Sequence, residues 1–536
     1  MARALHRRRA LGAVALLAAG SVLLGGCSII GDVSSWFGGG SGPPKVEENF
    51  PYTKEGRIFQ DTGQDARMRF SITGLERTPD YTVMYYEVEY IDDIRGGNRN
   101  LAMPNTLVDP ITGRVYREYL DEEGLKYGSV SPGPKGLYPV FDGVANSYRR
   151  YFPPIPEEVK QVTFVGSGLG AMTGIPIQDV DQERPDPENP NGQDHLSPSN
   201  PPPSGEKLTF ENRRPDDDAV ADQGAVESFV DSEIASTTRD GDKETIALHS
   251  DVMFEFDKSN LTDEAEEVVR QAAASLANNV DPDDREITVI GHTDGIGSHD
   301  YNDKLSLRRA ETVRELLREE IGGGDTFTYA VEGRGKREPI AREGGPDDEQ
   351  ARARNRRVEF SYKVDVSADP AEDENDDGGL GVAERSVGWP APFTDDNGSV
   401  AATAEKDGVK LDVYPLRRDG AYLIGTVELT NTTREPVSPD MGGADALQAG
   451  GPEKFSKGTL GGFQLVDPEA KLVRYVAQMD FGDDKYSGFA EDVHELQPGK
   501  PYELVAVFPA PPEGVAELTL RAGPFGELPE IPIEQR

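Results

Sequence analysis

Residues 287–317 read ITVIGHTDGIGSHDYNDKLSLRRAETVRELL, and the rest of the 536-residue chain is read outward from them. Ile287, Val289 and Ile290 predict a buried strand that delivers His292, Thr293 and Asp294 to its C-terminal end. Gly295 and Gly297 punctuate a short loop. The helix that follows places Leu305, Ala310, Val313 and Leu317 on one apolar stripe, with Arg308, Glu311, Arg314 and Glu315 largely off it. That register carries Arg309 back towards the end of the strand. Asp294 and Arg309 then form a two-charge clamp for a zwitterionic ligand, because a carboxylate accepts from an ammonium while a guanidinium forks onto a carboxylate. The plainer alternative has Asp294 merely opening the loop and Arg309 pairing with Asp300 or Asp303 on the helix surface.

The neighbouring sequence completes a small domain. A first strand is expected to end at Val252–Phe256, with Phe254 and Phe256 on one face. Thr262 is placed to cap a helix with Asp263 and Glu264 in its first turn, and Leu261, Ala265, Val268, Val269, Ala272 and Leu276 form its stripe. Phe327, Tyr329 and Val331 mark another strand, and Val358, Phe360, Tyr362 and Val364 alternate along a last one. The order is β-α-β-α-β-β, with helices over one side of a mixed sheet. Phe254-x-Phe-Asp257, Gly291-His-Thr-Asp294, Asn302-x-x-Leu305-Ser306-x-x-Arg309-Ala310-x-x-Val313, Gly333-x-Gly335 with Pro339, and Asn355-Arg-Arg-Val-Glu359 occur in this order. In these residues the stretch resembles the OmpA-like C-terminal domain that binds peptidoglycan. The resemblance implies that Asp294 and Arg309 grip diaminopimelate of the stem peptide. It places Asn302 and Leu305 beside that ligand and Arg356 near the pocket wall, with Asp257 and Thr293 in the same ligand-binding set. His292 and His299 are read as structural, and no metal or cofactor is expected.

At the N-terminus Arg3, Arg7, Arg8 and Arg9 precede an apolar run from Ala10 to Leu24, too short for a comfortable membrane span and laid out as a secretory signal. Leu24-Gly-Gly-Cys27 resembles the lipobox of bacterial lipoproteins, which implies cleavage after Gly26 and lipid on Cys27. As Cys27 is the single cysteine, no intrachain disulfide can form. Ser28, rather than an aspartate, follows the cysteine and favours outer-membrane sorting in a host with an outer membrane.

The remaining sequence alternates short β-type runs with turn residues. Leu107-Val-Asp-Pro110 recurs as Leu465-Val-Asp-Pro468. Pro153, Pro156, Glu157, Val159 and Thr163 recur as Pro509, Pro512, Glu513, Val515 and Thr519, and Ile175-Pro-Ile177 as Ile531-Pro-Ile533. Matches at a held offset argue for two copies of one β-domain. The expected organisation is therefore a multidomain α+β chain whose central OmpA-like domain is flanked by two similar immunoglobulin-like β-sandwiches. Its segments are a lipoprotein signal peptide (1–26), a tether (27–47), sandwich one (48–180), a disordered acidic and Pro-rich linker (181–243), the OmpA-like domain (244–366), a short acidic linker (367–385) and sandwich two (386–536). Within the first linker, Val226–Ile234 is expected to form a brief helix.

Charge bounds the partners. With 97 Asp and Glu against 56 Lys and Arg, a net −41, the surface repels nucleic-acid phosphates. The partners expected are peptidoglycan, the membrane through the lipid anchor, and an envelope protein bound by the sandwiches. No paired-carboxylate, zinc or nucleophile constellation supports a wall hydrolase. The leading reading is a non-enzymatic, lipid-anchored tether between membrane and wall. The alternative is an envelope scaffold or sensor that the OmpA-like domain only localises.

Overall fold

Alternation builds the flanks. Along Ala66–Arg77 the residues Ala66, Met68, Phe70 and Ile72 are buried while Arg67 faces solvent, the period-two pattern of a strand with one face on a core. The computed structural model describes residues 48–58, 66–91, 97–100, 106–132, 137–166, 168–192, 196, 200–203, 205–254, 258–322, 326–344, 348–365, 386–441, 455, 460–482, 485–489 and 495–534. Cys27, the signal and tether segments, Asp257 and the acidic linker at 367–385 lie outside them.

The first half has two layers. One is the antiparallel run Tyr52–Ile58, Ala66–Arg77, Thr82–Tyr90, Ala145–Phe152. The other is Arg114–Arg117, Thr106–Val108, Gln161–Gly166, Gly170–Pro176. Phe70 of the first layer stacks on Phe164 of the second at 5.0 Å between ring centres. The second half repeats this order. Ala402–Lys406, Val409–Val413, Tyr422–Asn431 and Pro501–Pro509 form one run, and Leu472–Tyr475, Phe463–Asp467, Glu517–Ala522 and Glu527–Glu534 the other. The recurrent Leu-Val-Asp-Pro tetrads sit in the same register: Val108 faces Val115 as Val466 faces Val473, and Leu107 faces Phe164 as Leu465 faces Leu520. Asp109 and Asp467 accept equivalent backbone N–H bonds, from Ile111 and from Glu469 with Ala470.

The expectation of a disordered 181–243 linker is corrected. Leu208 and Phe210 are buried, and Phe210 stacks on Tyr148 at 5.3 Å. Arg184 donates to Glu76 at 2.6 Å, and Arg214 pairs with Asp186 at 2.9 Å. The segment is thus fastened over the first half by two apolar anchors and an arginine–acid network, which an account of apolar area alone misses. The helix expected at Val226–Ile234 is likewise a strand, Gln223–Asp231. It pairs with Arg114–Arg117 of the first half, with Leu472–Tyr475 and Gln478–Asp480 of the second, and with Ala235–Asp240. Val226 is fully buried in an apolar cluster with Val108, Val115 and Val165 of the first half and Tyr422, Ile424 and Val507 of the second. Lys54–Glu503 at 2.6 Å and Thr163 Oγ1–Asp419 at 2.5 Å join the two halves further.

Ala235–Asp240 runs antiparallel to β1 (Lys243–His249), and from here the central domain follows: α1 (Asp263–Asn279), β2 (Glu286–His292), α2 (His299–Ile321), β3 (Thr328–Gly335), α3 (Asp348–Asn355) and β4 (Arg357–Lys363). The sheet order is β1-β4-β2-β3, with β2 and β3 parallel and the other pairs antiparallel. Two details depart from the expected order. The first strand stops at His249, because Ser250–Met253 forms one helical turn that is locked by Ser250 N donating to Arg356 O. Between β3 and β4 lies the unexpected α3, whose sequence DEQARARN shows no apolar stripe and is held by Arg352 pairing with Asp348 and Glu349. Thr262 caps α1 by accepting from Ala265 N at 3.1 Å, and the stripes of α1 and α2 pack on β4 through Phe360 and on β2 through Val289 in one core.

The bridging strand gives a direct expectation. In amide hydrogen exchange on the intact protein, Val226–Val230 should be protected to the same degree as Met84–Val88 in the first half. Exchange at the rate of an unstructured chain would restore the linker reading.

Candidate functional site

The site forms where β2 ends against α2. Glycine makes the approach close: a Cβ on Gly291 would lie 2.1 Å from Ser306 O, so the helix backbone rests on the strand itself. Gly333 and Gly335 do the same for β3, where a Cβ would meet Asp303 backbone and side-chain atoms at 2.6 and 2.4 Å. Ser306, fully buried, donates to Asp303 O and accepts from Gly335 N at 3.0 Å, pinning α2 to the C-terminal end of β3.

The loop after β2 is fixed by its backbone groups. Asn302 Nδ2 donates to Ile296 O at 2.8 Å, Glu343 accepts from Gly295 N at 2.9 Å, and Lys336 Nζ donates to Gly295 O at 3.1 Å and Gly297 O at 2.8 Å. Asn355, with no exposed surface, accepts from Ile340 N and Ala341 N and donates to Ala341 O and Glu343. Thr293 N donates to Gly335 O at 3.0 Å and its hydroxyl to Asp294 O at 3.0 Å. Asn302 and Thr293 are buried (2% and 5% exposed), so their work is to hold the loop. Leu305 is buried beside them on the stripe.

Asp294 and Arg309 are each held in a fixed orientation. Asp294 Oδ1 accepts from Ile296 N at 3.1 Å, and Oδ2 accepts from Arg356 Nη1 at 2.7 Å. Arg356 in turn meets Asp251 through two 2.6 Å bonds and Glu349 through one of 2.7 Å. These carboxylates, Asp251 first, hold the Arg356 guanidinium well above its ordinary value. Arg309 is 5% exposed, donates from Nε to Lys258 O at 3.0 Å, and lies 4.9 Å from the centre of the Phe254 ring. On the surface of α2, Asp300 pairs with Lys304 and Asp303 with Arg337. A carboxylate with two bonds retains lone-pair sites for a third donor, and a guanidinium held through its Nε has its plane set.

Sequence reading missed the carboxylates Asp251, Glu349 and Glu343, and the pairing of Arg356 with Asp294 across 62 residues. A glycine loop whose N–H and C=O groups need partners was the available signal, but nothing local says which residue supplies them. His292, 1% exposed, lies 3.6 Å from Glu359, and Arg357 Nε donates to Glu359 at 2.5 Å. Burial alone would push the Glu359 carboxyl up; His292 and Arg357 instead hold it down at about 2.

Residues 253–356 match the OmpA family, so the central unit is an OmpA-like domain. The chain is 40% identical over 115 residues to outer membrane protein A of Bordetella avium, which is 22% of this chain and 55% of that protein. It is 44% identical over 73 residues to outer membrane protein A of Klebsiella aerogenes, 14% of this chain and 21% of that one. It therefore spans about half or less of the length of these relatives. Among solved structures it is similar to the peptidoglycan-associated lipoprotein of Burkholderia pseudomallei (32% identity, 21% of this chain and 88% of that one, TM-score 0.18). It is also similar to the cell wall anchor of the T6SS from Pseudomonas aeruginosa (30%, 24% and 88%, TM-score 0.21). Among the described residues no helix is long and apolar enough to cross a membrane.

Two measurements test the architecture of the site. Because Glu359 titrates lower in the folded chain than its ordinary 4.5, the stability it lends is complete above pH 4.5 and lost as pH falls through 2. Denaturant unfolding across that window should show Glu359→Gln losing a pH-dependent contribution on the order of 3 kcal/mol; an unchanged slope would remove Glu359 from this role. Gly291→Ala forces the strand and α2 apart and should cost about 1–3 kcal/mol in the same assay.

Proposed function

We propose that this chain is a non-enzymatic, lipid-anchored envelope protein that binds peptidoglycan through the peptide stem. The single observation that carries the reading is a carboxylate and a guanidinium, Asp294 just past the end of β2 and Arg309 in the middle of α2, each oriented by its own bonds in an OmpA-like domain. Two similar structures bear on it by name: one is a peptidoglycan-associated lipoprotein, the other a cell wall anchor. The ligand in this proposal is diaminopimelate, whose side chain ends in an ammonium and a carboxylate. Asp294 takes the ammonium beside its Arg356 bond, and Arg309 forks onto the carboxylate. Thr293, Asn302 and Leu305 shape the loop and helix surface around it, while Asp257 and Arg356 belong to its surroundings.

Charge-assisted bonds of this kind contribute roughly 1.5–3 kcal/mol each. After the cost of ordering is subtracted, two of them support micromolar binding at best. Reversible gripping of a repeating polymer suits that strength, and a lipid on Cys27 would supply avidity by keeping the domain beside the wall. The flanks are read as immunoglobulin-like: their third and sixth main strands pair in one layer, and their fourth and seventh in the other. An envelope protein is proposed as their partner.

Co-sedimentation with purified sacculi tests the clamp. Asp294→Ala and Arg309→Ala should each abolish binding while leaving the circular dichroism spectrum unchanged, and full binding by both variants would overturn it. Mass spectrometry of the protein from its host should find Cys27 as an acylated N-terminal residue; an unmodified cysteine within a longer chain would overturn the anchor.

A further inference from the structure

A second polar site lies away from the clamp, where the bridging strands meet the second β-half. A cavity of about 40 Å³ is lined there by Ser228, Thr237, Arg239, Glu244, Ser386 and Arg474, and closed by apolar residues of the second half. Arg474 lies on the Leu472–Tyr475 strand, opposite Val230 of the bridging strand, and is 1% exposed. Its Nε and Nη1 are buried without a hydrogen-bond partner, as are Nη2 of Arg239 and the hydroxyl of Thr237. Arg239 is 8% exposed, with its Nε turned to Gly241 O at 3.3 Å.

Charge does not balance at this cavity. Two guanidiniums face one carboxylate, Glu244, which already accepts from Tyr362 at 2.5 Å. Asp467 also acts on Arg474, but Arg418 opposes it, and Asp467 is engaged by the backbone N–H groups of Glu469 and Ala470. Burial lowers Arg474 to about 10, which leaves it protonated at neutral pH. Water could satisfy its N–H groups but could not neutralise it, and an uncompensated buried charge is costly. The volume has room for about three water-sized groups, which matches a carboxylate or phosphoryl head and excludes a sugar ring.

We propose that this cavity binds a small oxyanion, held by Arg474 and Arg239 and by the hydroxyls of Ser228, Thr237 and Ser386. The wall residues come from the Gln223–Asp231 and Ala235–Asp240 strands, from β1, and from the second β-half. An anion here therefore bonds the joint between the OmpA-like domain and its flank. This reading is independent of the clamp, since no residue is shared.

The test is thermal unfolding of the intact protein in sodium phosphate, sodium acetate and sodium chloride at matched ionic strength. Phosphate or acetate should raise the midpoint in proportion to the logarithm of concentration, as binding to the folded state requires. Because phosphate also stabilises proteins by exclusion from their surfaces, the decisive comparison is between variants. Arg474→Met should lose the anion-specific part of the shift, and Arg239→Gln should weaken the apparent affinity at least tenfold. A stronger response to acetate assigns a carboxylate, and one to phosphate a phosphoryl group. An identical shift in Arg474→Met, or no shift beyond chloride in the wild type, overturns the site. Should Arg474→Met fail to fold, equilibrium dialysis of labelled phosphate and acetate against wild type and Arg239→Gln decides, and equal retention by both overturns it.

Discussion

The backbone of Gln223–Asp231 is hydrogen-bonded along both edges, and the arrangement of the described chain depends on that double pairing. One edge is shared between Arg114–Arg117 of the first half and Ala235–Asp240; the other meets Leu472–Tyr475 and Gln478–Asp480 of the second, so that Ala225 pairs with both Arg114 and Asp480. A strand buried between two β-halves cannot leave its amides unpaired. The two halves therefore supply the ladder that the strand requires, and the strand supplies the edge on which Ala235–Asp240, β1, β4, β2 and β3 are laid in turn. Arg354 of α3 returns to Asp231 at 3.1 Å and ties the far side of the OmpA-like domain to the same strand.

Within that domain the geometry of the site follows from three glycines and a serine. Gly291, Gly333 and Gly335 let α2 descend onto the strand ends, and Ser306 fixes its height. Once α2 is seated, Asn302 reaches the loop after β2, and Glu343 and Lys336 satisfy that loop from the opposite side. Asp294 and Arg309 thus inherit their positions from backbone contacts, and their side-chain bonds only set orientation. For the proposed clamp, such preorganisation means that a small ligand meets a receptor already ordered.

How much of this was legible in sequence depended on how local the cause was. The β2–loop–α2 unit, the Thr262 cap and the stripes of α1 and α2 all announce themselves within a few residues, because period and capping are short-range effects. The recurrent Leu-Val-Asp-Pro tetrads also carried through to equivalent strand registers. Gln223–Asp231 was illegible because, beyond the adjacent Ala235–Asp240, its partners lie more than a hundred residues away on either side, and its Glu227 and Ser228 are buried. The α3 helix carries no stripe and owes its place to charged pairs. Asp294 with Arg356 is likewise a pair made by the fold.

Sheet continuity also sets how force would travel. Between the OmpA-like domain and its flanks, Ala235–Asp240 is hydrogen-bonded on both sides, to Glu227–Asp231 and to β1, in ladders of five and six residue pairs. A pull along these strands loads every rung of a ladder together, whereas a pull across them opens one rung at a time. Because each bond contributes only about 1 kcal/mol, the direction of the load decides whether the joint gives way early or late. A wall gripped at the end of β2 would thus be held most firmly when tension runs along the strands.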